Sequence, residues 1–288
     1  MKIIHHNDLD GRCSAAIAYR YLQGQNHNGE EIGLYEVDYD TPFPIDEIKQ
    51  NEYVYILDFC LEKDDIIAKL LKTTKNIVWI DHHKTSLKKE NLKHLDGIRE
   101  ASGKKSGCLL TWEYLHPGTP IPEAVLYISD MDAWTWEHKG KSMPFTTGLY
   151  AYKHDPSHPI WDRLIYDEKN AAWVQQVIDE GHICLRYRTE LCKDYINQFG
   201  FETEFEGHKC FACGLYMFGS LVYGDKIDQY DMCISFEYNG EAWNIGLYSN
   251  NKIDVGEIAE KHEGGGHKGA AGFVAKELPF KKKGDKNG

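Results

Sequence analysis

The sequence predicts an α/β protein: an N-terminal, mainly parallel sheet flanked by helices, a linker helix, and a smaller C-terminal α/β domain with a mixed sheet. Three observations predict it. Apolar runs at 2–4, 52–57 and 76–80 alternate with helix-like stretches, the pattern of βαβ units. From Asn170 to Gln198 apolar residues recur at helical spacing, from Val174, Val177 and Ile178 to Leu191, Tyr195 and Ile196. Beyond Phe201 the texture changes to short runs rich in aromatic and β-branched residues, with Asn239-Gly240 as a hairpin signal. The predicted division is a first domain over 1–165, the linker helix over 166–200, a second domain over 201–280 and a solvated, disordered tail over 281–288.

Bulk properties narrow the function classes. A chain of 288 residues exceeds what one ordinary core needs, so two domains are expected. No stretch approaches the roughly 20 apolar residues that span a bilayer, which predicts no membrane partner. The opening Met1-Lys2-Ile3-Ile4-His5-His6 lacks the apolar core of a secretory leader, which predicts the cytoplasm. The eight cysteines show no disulfide rhythm and read as free thiols. Cys210 and Cys213 form the one CxxC, read as a strand with buried thiols rather than a zinc site. A formal net charge of −12 argues against wrapping long duplex nucleic acid. It leaves room for a small phosphate substrate, since clustered carboxylates that hold divalent cations inflate the negative count.

The first strand ends in His6-Asn7-Asp8-Leu9-Asp10-Gly11. A helix from about Arg12 to Tyr21 follows, rich in small residues that pack closely on a sheet. Asp8 and Asp10 can share a loop cavity with His6; the plainer alternative is an Asx-type turn with Asp10 as helix N-cap. After a second strand at 32–37, the third ends at Asp58, too far before Asp64 to cap the helix that opens there. The fourth runs into Asp81-His82-His83, poor material for a core and good material for holding a cation and handling a proton. Right-handed crossovers would bring all three polar tips to one sheet edge, where chemistry collects in open α/β folds. Gly97 to Ala101 reads as a further core strand, and Ser106 as the N-cap of a helix to Leu115. A helix from Glu123 to Ser129 leads into Asp130-Met131-Asp132-Ala133-Trp134-Thr135-Trp136. That segment is either a helix end with aromatics on the core or one further ligand with aromatics excluding water. His138, His154 and His158 lack ligand spacing and read as surface or packing residues, and Gly200 fits the C′ position of the long helix. After a short helix from Asp254 to His262, Gly264-Gly265-Gly266-His267-Lys268-Gly269-Ala270-Ala271-Gly272 leaves the backbone bare for an anion, with His267 and Lys268 as donors.

Taken together these motifs resemble the DHH phosphoesterase superfamily, named for a triplet that stands here as Asp81-His82-His83, and within it the nanoRNase, NrnB-like oligoribonuclease branch. The segment from His6 to Gly11, Asp58, Asp81 to Thr85, Asp132 to Trp136, and the glycine run from Gly264 to Gly272 fit its motifs in order over nearly the whole chain. The resemblance implies two divalent cations, manganese first, with magnesium or cobalt as alternatives. His6, Asp8 and Asp58 would hold one; Asp10, Asp58, His82 and Asp132 the other, with Asp130 as the alternative to Asp132. Oxygen and imidazole donors without cysteine suit manganese. Such a pair clamps the attacking and leaving oxygens of an in-line displacement at phosphorus. His83 would steady the scissile phosphate or the leaving oxygen, and Asp81 would orient the imidazoles. Gly264, Gly265, Gly266, His267 and Lys268 would grip a substrate phosphate or terminal nucleotide, in a C-terminal lobe that closes over the cleft.

The leading expectation is hydrolysis of short single-stranded RNA, down to the dinucleotide, to mononucleotides, with adenosine 3′,5′-bisphosphate as a further substrate. Cyclic-dinucleotide or inorganic pyrophosphate hydrolysis on the same scaffold is the second reading, and a catalytically silent nucleotide-binding module the third. The oligomeric state is left open, a homodimer included.

Overall fold

Alternation of apolar residues explains the first sheet. Ile3, Leu57 and Ile80 enter one buried cluster, while their neighbours Ile4, Ile56 and Trp79 enter another, so each strand is buried on both faces. In the computed structural model the order is β1 (Lys2–His6), α1 (Leu9–Gln25), β2 (Gly33–Val37), β3 (Val54–Leu57), α2 (Asp64–Thr73), β4 (Ile77–Ile80), α3 (Gly107–Leu115), α4 (Glu123–Asp132), α5 (Lys139–Leu149) and α6 (Asn170–Phe199). The structure describes residues 1–283 except 26–28, 40, 217 and 251; the side chains of Lys139 and His267 are outside the description, as are residues 284–288 of the predicted tail. The four strands pair in parallel in the order β2-β1-β3-β4. α1 and α3 contribute to the cluster on one face, and Ile67 and Leu70 of α2 to the other. No helix among the described residues is long and apolar enough to cross a membrane.

The chain divides into two units, Met1–Leu185 and Arg186–Gly288. The second continues through β5 (Phe201–Phe205), β6 (His208–Cys213), α7 (Lys226–Gln229), β7 (Met232–Tyr238), β8 (Trp243–Tyr248), α8 (Val255–Glu260), β9 (Gly265–His267) and β10 (Ala270–Ala275). Its mixed sheet has the order β5-β6-β7-β8-β10-β9, with β6 and β7 parallel and the other pairs antiparallel. Val255, Ile258 and Ala259 of α8 join the cluster on one face; Cys192 and Ile196 of α6 join the other. Cys210 and Cys213 are free and buried, and no metal-capable cluster among the described residues contains a cysteine. Asn239 closes the β7–β8 hairpin as expected: its Oδ1 accepts from the amides of Glu241 and Ala242, and Gly240 takes φ +102°.

Three local expectations need correction. The stretch from Gly97 to Ala101 is no strand; Asp96 and Arg99 make only isolated bridges to Val78 and Asp81. Gly97, at φ +110°, brings its Cα against Trp79, where an added Cβ would lie 2.1 Å from the Trp79 carbonyl oxygen, and that close approach breaks the ladder. Gly200 does not adopt the left-handed conformation; it is needed for room, since a Cβ there would meet the Phe211 ring at 2.3 Å. The cap of α1 is Asp8 rather than Asp10: the helix begins at Leu9, and Asp8 Oδ1 accepts from the Gly11 amide at 2.8 Å.

Candidate metal centre

Strand register builds the centre. His5, Leu57 and Ile80 are paired across β1, β3 and β4, so His6, Asp58 and Asp81 form the next row, at the carboxyl end of the sheet. Strand order reverses between β1 and β3, which makes His6 and Asp58 the two lips of the topological switch point. Asp58 takes φ +54°, a conformation that costs an aspartate about 1–3 kcal/mol. Both of its carboxylate oxygens are buried with no hydrogen-bond donor.

Two further elements close around it. Asp10, in the first turn of α1, is held by the start of α3: Ser106 Oγ donates to Oδ1 at 2.6 Å, the Gly107 amide to Oδ2 at 2.7 Å and the Cys108 amide to Oδ1 at 2.9 Å. Ser106 stands at the N-cap position without making a side-chain cap bond; its hydroxyl is spent on Asp10. A Cβ on Gly107 would fall 2.6 Å from Asp58 Cβ and 2.9 Å from Asp10 Oδ2, so only glycine lets α3 approach this closely. α4 delivers Asp132 from its last turn, with Oδ2 buried and without a donor.

The donor atoms fall into three overlapping groups, each within 4.8 Å: His6, Asp8 and Asp58; Asp10, His82 and Asp132; and Asp58, His82 and His83. His6 Nδ1 lies 2.8 Å from Asp8 Oδ2 and 4.0 Å from Asp58 Oδ2. His82 Nε2 lies 3.2 Å from Asp58 Oδ1, 3.3 Å from Asp132 Oδ2 and 4.0 Å from Asp10 Oδ2. The contact with Asp58 lacks the alignment of a hydrogen bond. Burial, reinforced by the neighbouring carboxylates of Asp10 and Asp8, pushes both Asp58 and Asp132 well above the ordinary carboxylate range. Burial holds the His82 imidazole below its usual value. Crowded carboxylates without donors beside a neutral imidazole are what a hard or borderline divalent cation requires. The residues present therefore fit divalent cations: His6, Asp8 and Asp58 form one group that could hold an ion, Asp10, His82 and Asp132 another, and Asp58 meets His82 at 3.2 Å between them.

Of the remaining two residues of the triplet, His83 keeps a ring nitrogen in the group with Asp58 and His82, and Asp81 supports it from behind. Asp81 is fully buried; its Oδ1 accepts from the His82 amide at 2.9 Å and pairs with His83 Nδ1 at 2.7 Å, and its Oδ2 accepts from Ser86 Oγ. Burial works against a charged His83, but the Asp81 bond overrides it and raises the His83 pKa. With Nδ1 bound to Asp81, Nε2 is the nitrogen left for a ligand.

A sequence profile of the DHH family, N-terminal domain, matches residues 1–131. Over residues 1–131 the chain is similar to the N-terminal domain of that family. The uncharacterized protein R106 of Acanthamoeba polyphaga mimivirus is 26% identical over 251 residues, 83% of this chain and 57% of the relative, so the chain spans little more than half of that protein's length. Two solved structures share the fold. A DHH domain from a member of a family of ribosomal proteins aligns with a TM-score of 0.61 at 13% identity, over 95% of this chain and 82% of its own. RecJ from Thermus thermophilus, solved in complex with Mn2+, aligns with a TM-score of 0.56 at 15% identity, over 95% of this chain and 49% of its own.

The DHH profile stops one residue before Asp132, so the choice between Asp130 and Asp132 rests on geometry. Asp130 is already occupied: it accepts from Thr135 Oγ1, the amides of Glu137 and His138, and Ser142 Oγ, clamping the loop after α4. Within that loop Trp134 and Trp136 adopt φ +53° and +58°, at about 1–3 kcal/mol each. In the second unit the glycine run is a β9–β10 hairpin. Gly264 and Gly266 are dictated by packing, since a Cβ would strike the Gly272 carbonyl oxygen at 2.2 Å and Ala271 Cα at 2.5 Å. Gly265 faces open space, Lys268 is exposed, and the side chain of His267 lies outside the described residues. The sequence reading missed Ser106 and Gly107 as the cradle of Asp10. A Ser-Gly pair opening a helix, with its free amides, was the available signal.

Proposed function

We propose that the protein is a two-cation phosphodiesterase that hydrolyses short single-stranded oligoribonucleotides to mononucleotides, with manganese as the working ion and nucleoside 3′,5′-bisphosphate as a further substrate. The observation that carries this reading is Asp58: a buried carboxylate with both oxygens lacking donors, shared between the groups formed with His6 and Asp8 and with His82. When bound, two divalent cations supply electrophilic stabilisation at phosphorus and lower the pKa of the attacking water. The chain's own residues supply the rest. Asp58, which shares one group with His6 and Asp8 and another with His82, would contribute to holding both cations. Asp10, fixed by three donors from the start of α3, keeps its place whether or not a cation is bound. Asp81 locks His83 through Nδ1 and favours its charged form, in which Nε2 can donate to a phosphoryl or leaving oxygen. Gly265, bare and facing open space, suits approach of its backbone to a substrate phosphate, with Gly264, Gly266, His267 and Lys268 around it.

The test is turnover with manganese on a diribonucleotide, a longer single-stranded RNA and adenosine 3′,5′-bisphosphate, alongside Asp58→Ala. Release of mononucleotide by the wild type, and its loss by orders of magnitude in the variant, is expected. No release from any of the three would overturn the reading.

A further inference from the structure

Trp134 joins an unfavourable backbone conformation to solvent exposure. A tryptophan at positive φ is strained, and folded chains recover such a cost by burial or use it for function. Here burial does not recover it, because Trp134 is 54% exposed. Trp136 adopts the same unfavourable conformation, and its ring meets that of Trp134 at 4.9 Å and 89°. Whichever ring presents its edge, Trp136 can cover no more than one face of the Trp134 indole, and more than half of that residue's surface stays exposed. The loop is held deliberately: the four bonds that Asp130 accepts come from Thr135, Glu137, His138 and Ser142, all beyond Trp134. Two residues before Trp134 stands Asp132, whose Oδ2 lies 3.3 Å from His82 Nε2 in the candidate centre. Two residues of chain place the two Cα atoms within about 7 Å of each other.

We propose that Trp134 is a stacking platform for the nucleobase of the nucleotide whose phosphate lies at the Asp132 side of the centre. The proposal rests on the reading of that centre as one for oligonucleotide phosphates, and names the part of the substrate that a bare phosphodiester lacks. Perpendicular packing with Trp136 fixes the plane, and the Asp130 clamp fixes the loop, so the ring is pre-ordered before the base arrives. Such a platform selects for a π-face and tolerates every base, as stacking sites for single strands do.

Three variants and one substrate pair test it. For wild type, Trp134→Phe and Trp134→Ala, KM and kcat are measured on a diribonucleotide and on its counterpart with the base at one end removed. Trp134→Ala should raise KM on the diribonucleotide about ten- to hundredfold with kcat little changed. It should also bring the ratio between intact and abasic substrates towards one, and Trp134→Phe should recover most of the loss. Trp134→Gly separates binding from scaffolding. Glycine suits φ +53°, so its Tm should not fall while its KM rises as in the alanine variant. A fall in Tm and kcat together would mark a merely structural residue and overturn the proposal, as would an unchanged KM or an equal rise on the abasic substrate. A binding arm is independent of turnover: quenching of intrinsic fluorescence by adenosine 5′-monophosphate, compared between wild type and Trp134→Phe. If the wild type hydrolyses no oligonucleotide yet the quench disappears in the variant, the hydrolase reading falls and the platform stands. If turnover is intact and the quench is the same in both, the platform falls and the hydrolase reading stands.

Discussion

Replacing Asp58 by asparagine removes one charge and keeps the shape, and it should stabilise the cation-free protein while disabling the centre. Asp58 is 1% exposed, both oxygens lack donors, and burial together with Asp10, Asp8, Asp132 and Asp81 opposes its ionised form. A buried polar atom without a partner costs about 1–3 kcal/mol, more when charged. Relief of that cost raises Tm by about 2–12 °C, at about 2–4 °C per kcal/mol for a unit of this size. The sign with pH follows from the raised folded pKa. The native state keeps its proton after the unfolded chain has lost it, so the cation-free wild type holds all of the stability that protonated Asp58 contributes only below the ordinary carboxylate range. It loses stability as pH rises through the folded value of Asp58, and the variant should show a shallower loss. The assay is thermal unfolding of both proteins in chelator and in manganese, from pH 4 to 8. Manganese should raise the wild-type Tm by linkage and have little effect on the variant. A cation-free variant less stable than wild type, or one that manganese stabilises equally, would refute the view that this crowding exists to hold cations.

Further predictions probe the supporting shell. Gly107→Ala pushes a methyl group into Asp58 and Asp10, and should weaken manganese binding about 10–100-fold by titration calorimetry. Asp130→Ala leaves the Glu137 and His138 amides without their acceptor and should lower stability by at least about 1–3 kcal/mol in denaturant melts, yet retain a Tm rise with manganese. Asp132→Asn should do the reverse, keeping the loop and losing most of that rise. Asp81→Asn frees the His83 ring from its charged anchor and should lower kcat with little change in manganese affinity, measured as activity against cation concentration.

The sheet and the residues of its row were legible because an apolar run that stops at an acid or imidazole states both the strand and its tip. Asp58 and the Asp81-His82-His83 triplet stand out in this way. The choice between Asp130 and Asp132 was not legible: both follow the same helical pattern, and only the turn after α4 shows that one is consumed by Thr135, Glu137, His138 and Ser142. The cradle formed by Ser106 and Gly107 was hidden because its contacts with Asp10 span 96 and 97 positions of chain. The false strand at 97–101 arose because apolar content was read without the positive φ of Gly97, which sequence pattern does not reveal. The helix and π-turn at 139–166 escaped because His154 and Arg20 organise it through side-chain bonds to distant partners, Arg12 and Asp162.

Because His6, Asp58 and Asp81 share one row across paired strands, the width of the centre is inherited from the backbone ladder, about 4.8 Å per step. Ordinary drift in the surrounding core can reshape the walls without moving these donors apart. A single-residue insertion within β3 would be far more damaging. It would carry Asp58 out of line and leave a chain that retains every ligand in its sequence but lacks the carboxylate that two of the donor groups share.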